Sequence, residues 1–155
     1  MPTRVAVSGA TGRLGSLVCE VVDADPELDL VARLSSRSDP EEGASADILV
    51  DVSHPEASAD IVSRALDRGQ RVIVGTSGWS ADRLDWLTGR VAEAEGAVIV
   101  VPNFSLGSVI GTALAQFTAP YFDAVEIIEA HHPQKVDSPS GTAVRTAELI
   151  AEARA

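Results

Sequence analysis

The sequence predicts an α/β protein: a doubly wound parallel sheet followed by the start of a smaller α+β segment. Three observations carry this expectation. Short apolar, β-branched runs alternate with helical stretches over the first two thirds of the chain. Those runs are almost continuously apolar, as strands covered on both faces are. A glycine-rich turn directly follows the first run and opens the first helix.

The elements follow in order. Val5-Ala6-Val7 is the first strand. Residues 14–24 read as a helix, with Leu14, Leu17, Val18, Val21 and Val22 on one side. Residues 28–34 form a second strand, and the polar stretch 35–46 a loop or single turn. Residues 47–52 are a third strand. Pro55 suits the opening of a helix to about Arg68, with Gly69 at its C-terminal end. Residues 71–75 are a fourth strand, and Ser80 is a candidate N-cap for a helix over 81–95. Residues 97–101 are a fifth strand, ended by Pro102. The pattern then changes: a helix over about 107–117, a strand with partial alternation over 124–130, a loop over 131–139 and a final helix to Arg154. A boundary near 103–107 divides residues 1–104 from residues 105–155.

Composition bounds the function. With 155 residues, 45% of them hydrophobic, the chain suffices for one full α/β domain and part of another. A net charge of −11 argues against nucleic acid, which needs a basic face. It does not exclude a small anion at a locally positive site. The lone cysteine, Cys19, cannot form an internal disulfide and reads as a packed thiol, which fits a reducing cytoplasm. No apolar run approaches a membrane span, and the N-terminus does not resemble a signal peptide. A cytoplasmic protein without membrane or nucleic-acid partners is expected. No residue is assigned to a metal.

Gly9-Ala10-Thr11-Gly12-Arg13-Leu14-Gly15 joins the first strand to the first helix. Gly9 suits the tight turn, Gly12 leaves room for a pyrophosphate, and Gly15 lets the helix pack close to the strand. Helix-start N–H groups then face the phosphates. This context makes the predicted sheet Rossmann-like and implies a nicotinamide dinucleotide. The second strand lacks the acid that normally binds a ribose 2′-hydroxyl; Leu34 is followed by Ser35-Ser36-Arg37. Ser35 and Arg37, helped by Arg13, suit a 2′-phosphate, so NADPH is expected over NADH. The alternative is that Arg37 is a solvated loop arginine.

Glu129-Ala130-His131-His132-Pro133-Gln134-Lys135 places two of the three histidines beside the only lysine. Histidine donates a proton near neutral pH. A lysine ammonium offsets a carboxylate or a developing anion. Ser140-Gly141-Thr142 precedes a helix, whose N–H groups can grip a carboxylate. The set suits a small dianion reduced with proton transfer; a polar loop before a capped helix is the plainer reading.

The segment from Glu129 to Ala143 resembles the signature of the dihydrodipicolinate reductase family, E-x-H-H-x-x-K-x-D-A-P-S-G-T-A, with Ser138 in place of the usual alanine. Further blocks similar to the family occur in order: the glycine turn, Asp51-Val52-Ser53-His54-Pro55, Gly75-Thr76-Ser77-Gly78-Trp79 and Pro102-Asn103-Phe104-Ser105-Leu106-Gly107. The resemblance covers the whole chain. It implies reduction of 4-hydroxy-tetrahydrodipicolinate to tetrahydrodipicolinate by NADPH or NADH, in lysine and diaminopimelate synthesis. It implies His131 as general acid, Lys135 as its partner, and His132, Gly141, Thr142 and Ser77 as substrate contacts. Ser77 stands where the family usually has a threonine. Gly75, Thr76, Asn103 and Phe104 match the nicotinamide surroundings, on the far side of a cleft from His131 and Lys135. Trp79, in place of a common phenylalanine, reads as an apolar wall there. His54 is read as a loop residue near the cofactor, Asp51 as a strand-end residue and Trp86 as helix packing.

Family members run longer, through further strands of a substrate domain whose sheets pack in a homotetramer. The chain is therefore expected to be truncated. A non-catalytic NADP(H)-binding module is the alternative. The glycine turn also resembles that of atypical short-chain dehydrogenases. Those need a tyrosine four residues before a lysine, and Tyr121 is followed there by Val125.

Overall fold

Five strands form one parallel sheet in the computed structural model, which describes residues 1–131, 133 and 138–155. They are Thr3–Ser8 (β1), Leu28–Leu34 (β2), Ile48–Asp51 (β3), Arg71–Val74 (β4) and Val98–Val100 (β5). Their order across the sheet is β2-β1-β3-β4-β5. The chain steps outward from β1 to β2, then crosses back to β3 on the other side of β1. This reversal is the switch point of a doubly wound sheet, and ligands of such sheets bind at the strand ends beside it. The register puts those ends level: Ser8 pairs with Leu34 and with Asp51, and Asp51 pairs with Val74.

Alternation along the strands supplies both faces. Val5, Val7 and Val50 pack with Cys19 and Val22 of helix α1, Arg13–Ala24. Ala6, Leu49, Val72 and Val74 pack on the opposite face with Val62, Ala65 and Leu66 of α2 (Pro55–Asp67) and Leu87 of α3 (Ala81–Glu93). This explains why the strands read as unbroken apolar runs. Pro55 does open α2, and Gly69, at φ 73°, follows its C-cap residue Arg68. Ser80 occupies the N-cap of α3 as expected, but its side chain makes no capping hydrogen bond. In the 35–46 stretch, Asp39 and Glu42 form a capping box around a single 3-10 turn at Pro40–Gly43.

Residues from Met1 to Val101 form one compact unit, and residues from Pro102 to Ala155 a second. The second unit holds α4 (Leu106–Thr118), a 3-10 turn at Ala119–Tyr121, and α5 (Gly141–Arg154). Thr112 and Thr146 link the two helices through their hydroxyls, 2.9 Å apart. The strand expected over 124–130 does not form: no ladder includes these residues among those described. Composition there favours a strand, but a strand exists only with a partner to share its N–H and C=O groups. Val125, Ile127 and Ile128 are left exposed. No described helix is long and apolar enough to cross a membrane.

Candidate active site

In the first unit the glycine turn sits at the switch point. Gly9 has φ 82°, and a Cβ on it would lie 2.6 Å from the Val52 carbonyl oxygen. Only glycine fits so near the β3 exit. A Cβ on Gly15 would lie 2.0 Å from the Gly9 carbonyl oxygen, so α1 packs on the turn itself. Gly12 is the N-cap of α1, and its N–H donates to the Gly9 carbonyl at 2.9 Å. Arg13 and Leu14 form the first helical residues, with Ala10 buried below and Thr11 exposed at the rim. A dinucleotide fits this turn: glycines at 9, 12 and 15 keep its backbone close-packed and open, and a helix N-terminus begins at it.

The N–H groups of Gly9 and Ala10 both donate to the Leu34 carbonyl at 3.0 Å. That bond pair ties the turn to the end of β2, where the residues expected at a 2′-phosphate follow. Ser35 accepts from the Arg37 N–H at 3.2 Å and its hydroxyl lies 3.3 Å from that of Ser38. Arg37 is exposed.

The ends of β3 and β4 are joined by a buried carboxylate. Asp51, fully buried, accepts from the Ser53 N–H (3.1 Å), the Ser53 hydroxyl (2.5 Å), the Ser58 hydroxyl and the Thr76 hydroxyl (3.2 Å). Its carbonyl accepts from the Gly75 N–H at 2.8 Å. Asp51 thus fixes the turn that carries His54 and the Gly75-Thr76 step expected at the nicotinamide. Thr76 is itself buried, its hydroxyl committed to Asp51, while Ser77 beside it is exposed. His54 is exposed at the N-cap of α2 without a side-chain cap bond. Trp79 packs on the α2–α3 side of the core, stacked on Trp86 at 6.4 Å and under the Arg83 guanidinium at 4.8 Å.

In the second unit the residues gather at the N-terminus of α5. Ser140 caps the helix by accepting from the Ala143 N–H at 3.1 Å. Glu129 accepts from the Ser140 N–H at 2.8 Å and also from its hydroxyl. The His131 Nδ1 lies 3.7 Å from Glu129 Oε2. Asn103 donates through Nδ2 to Ser108 at 2.8 Å and Thr142 at 3.3 Å, and accepts from the Ser105 N–H at 2.8 Å. Asn103, Gly141, Thr142 and Arg145 line a largely apolar cavity of about 230 Å³. Phe104 is half-exposed. His132 and Lys135 lie outside the described residues.

Two side chains at these sites, Asp51 and Glu129, have no functional role in the sequence reading. Asp51 was read as a strand end, though serine and threonine at 53, 58 and 76 are the donors such a carboxylate needs. Glu129 belongs to the quoted signature but received no role. Asn103, expected at the nicotinamide, also donates to Thr142 at the start of α5. Away from the sites, hydrogen bonds from Arg4 hold the Asp47 carboxyl at about 2, below its ordinary 3.8. Burial pushes the Cys19 thiol up.

Comparison with known proteins adds three findings. Residues 3–104 match a family model described as dihydrodipicolinate reductase, N-terminus, and residues 107–155 one described as dihydrodipicolinate reductase, C-terminus. The chain is 48% identical to a 4-hydroxy-tetrahydrodipicolinate reductase of Clavibacter michiganensis subsp. michiganensis, over 99% of this chain and 56% of that one. It is 45% identical to one of Streptomyces avermitilis, over 97% of this chain and 62% of that one. The chain therefore spans roughly three fifths of these relatives. Among solved structures, a dipicolinate-bound dihydrodipicolinate reductase from Paenisporosarcina sp. TG-14 superposes with a TM-score of 0.79 at 29% identity, covering 99% of this chain and 67% of that one. An NAD complex of GenD2, at TM-score 0.58 and 20% identity over 74% of this chain and 39% of that one, shares the fold.

Proposed function

The chain belongs to the dihydrodipicolinate reductase family, and from that premise we propose that it carries the nucleotide-binding body, 1–104, and the first substrate-binding segment, 105–155, of a 4-hydroxy-tetrahydrodipicolinate reductase. The reaction is the NADPH- or NADH-dependent formation of tetrahydrodipicolinate, with loss of water, for lysine and diaminopimelate synthesis. The observation that carries this reading is the α5 terminus: a histidine, a capped helix start and two amides that bond to no described residue, within one short stretch. Among the described residues, the N–H groups of Gly141 and Thr142 have no partner. They suit one carboxylate of a dicarboxylate substrate. The dipicolinate in the Paenisporosarcina structure is a ligand of that class.

Bound at the glycine turn, NADPH or NADH supplies the hydride. The chain's own groups do the rest. His131 gives a proton to the reduced ring, and Lys135 offsets the negative charge that develops there. His132, Ser77, Gly141 and Thr142 hold the substrate. Gly75, Thr76, Asn103 and Phe104 border the nicotinamide, with Asp51 fixing the first two. Ser35 and Arg37 favour NADPH by receiving a 2′-phosphate, which a carboxylate there would repel. The longer form assembles as a homotetramer in the cytoplasm.

Substrate-dependent NADPH oxidation by the purified chain tests the proposal. His131→Ala should lower turnover by about a hundredfold or more while NADPH affinity stays the same. Unchanged turnover rules out His131 as the proton donor. One second reading, a non-catalytic NADP(H)-binding module, is favoured by the glycine turn lying wholly within the first compact unit. That reading predicts cofactor binding without oxidation in the wild-type chain.

A further inference from the structure

We propose that Glu129 is a positioning residue that ties the proton donor His131 to the carboxylate-gripping end of α5. The inference rests on the roles assigned above to His131, Gly141 and Thr142. Its own footing is the geometry of one carboxylate. Oε1 takes the Ser140 N–H at 2.8 Å, and Oε2 takes the Ser140 hydroxyl. The same Oε2 lies 3.7 Å from His131 Nδ1, within ion-pair reach and beyond a hydrogen bond. The Glu129 side chain is 27% exposed, so its charge is partly shielded from solvent.

Each contact has a consequence. A helix start leaves its first N–H groups without intrahelical partners, and a negative charge is favoured there. Glu129 occupies the outermost of them, at Ser140. The Ser140 hydroxyl serves twice, donating to Glu129 and accepting from the Ala143 N–H. This double use fixes the helix start, and the next two amides, of Gly141 and Thr142, bond to no described residue and suit a ligand. On the other side, the carboxylate favours a proton on the imidazole Nδ1 that faces it. Nε2 is then the ring nitrogen left to meet a substrate. A single side chain thereby sets both the donor's orientation and the anion grip. A capping role alone would account for the Ser140 bonds but not for His131.

Imidazole and amide ¹⁵N spectra of the free chain, followed by titration with dipicolinate, separate the two. Glu129→Gln should change the Nδ1/Nε2 pattern of His131, shift the Gly141 and Thr142 amides, and weaken dipicolinate by about tenfold, the worth of a hydrogen bond to a charged group. A His131 pattern identical to wild type overturns the proposal, whatever happens to the amides or the affinity. Should Glu129→Gln not fold, Ser140→Ala decides on the same readout. It strips a donor from the oxygen that faces Nδ1 and leaves the charge in place. The reading beneath fails differently: wild-type protein would not bind dipicolinate even though Glu129→Gln moves the His131 signals.

Discussion

The two units of this chain bury their apolar residues very differently. In the first, strands and helices enclose side chains on both faces of the sheet, down to Ala6, Val7, Val62 and Val74 at no measurable exposure. In the second, Ala119 and Ile150 are the buried apolar residues among those described. Leu106, Leu114, Phe117, Tyr121, Phe122 and Ile128 are each more than half exposed. Exposed apolar side chains in that number are unusual for a closed core. The difference teaches where each function draws its rigidity. The glycine turn and the Asp51 hub rest on a closed core. The His131 segment rests on helix caps and a few side-chain bonds.

Amide hydrogen exchange should show the largest contrast. Amides of β3 and α2 should exchange only through global opening, whereas those of α4 and α5 exchange by local opening, many orders of magnitude faster. Equal protection in the two units would erase the comparison. Substitutions sharpen it. Leu66→Ala, at a residue 2% exposed, should cost about 2–5 kcal/mol, while Ile128→Ala, at one 87% exposed, should stay within about 0.5 kcal/mol. Trp79 and Trp86 both lie in the first unit, so urea unfolding followed by tryptophan fluorescence reads the first of these, and circular dichroism the second. Arg37→Ala should weaken NADPH by about tenfold or more and leave NADH unchanged in fluorescence titrations. Unchanged affinity for both would return Arg37 to the solvated loop.

The smallest effect is at Asp47. Its folded-state value lies below the ordinary one, so its contribution is fully present above the ordinary carboxylate range. It is lost as pH falls through about 2. Asp47→Asn should flatten the acid limb of a stability–pH curve, and salt should shrink the difference because the pair with Arg4 is half-exposed.

The same contrast explains what could be read from the sequence. The strands of the first unit were legible because their partners lie within the chain, and Gly9 and Gly15 because only a missing side chain permits their approach. The strand expected over 124–130 carried the right residues, but pairing is a property of two segments, and one segment cannot display it. Asp51 was legible only as a strand end, since its four donors come from positions scattered over two connections. Glu129 was hidden for a similar reason: its role depends on Ser140, eleven residues on, folding back to meet it.

On the proposed function, the chain's two parts serve one reduction, the first holding the hydride donor and the second the acceptor and its proton donor. NADPH deuterated at the transferring position of the nicotinamide tests this most directly. Deuterium should appear in the ring of tetrahydrodipicolinate, and His131→Ala should suppress the transfer without loss of NADPH binding. Deuterium that stays on the nicotinamide while both ligands are bound would contradict it.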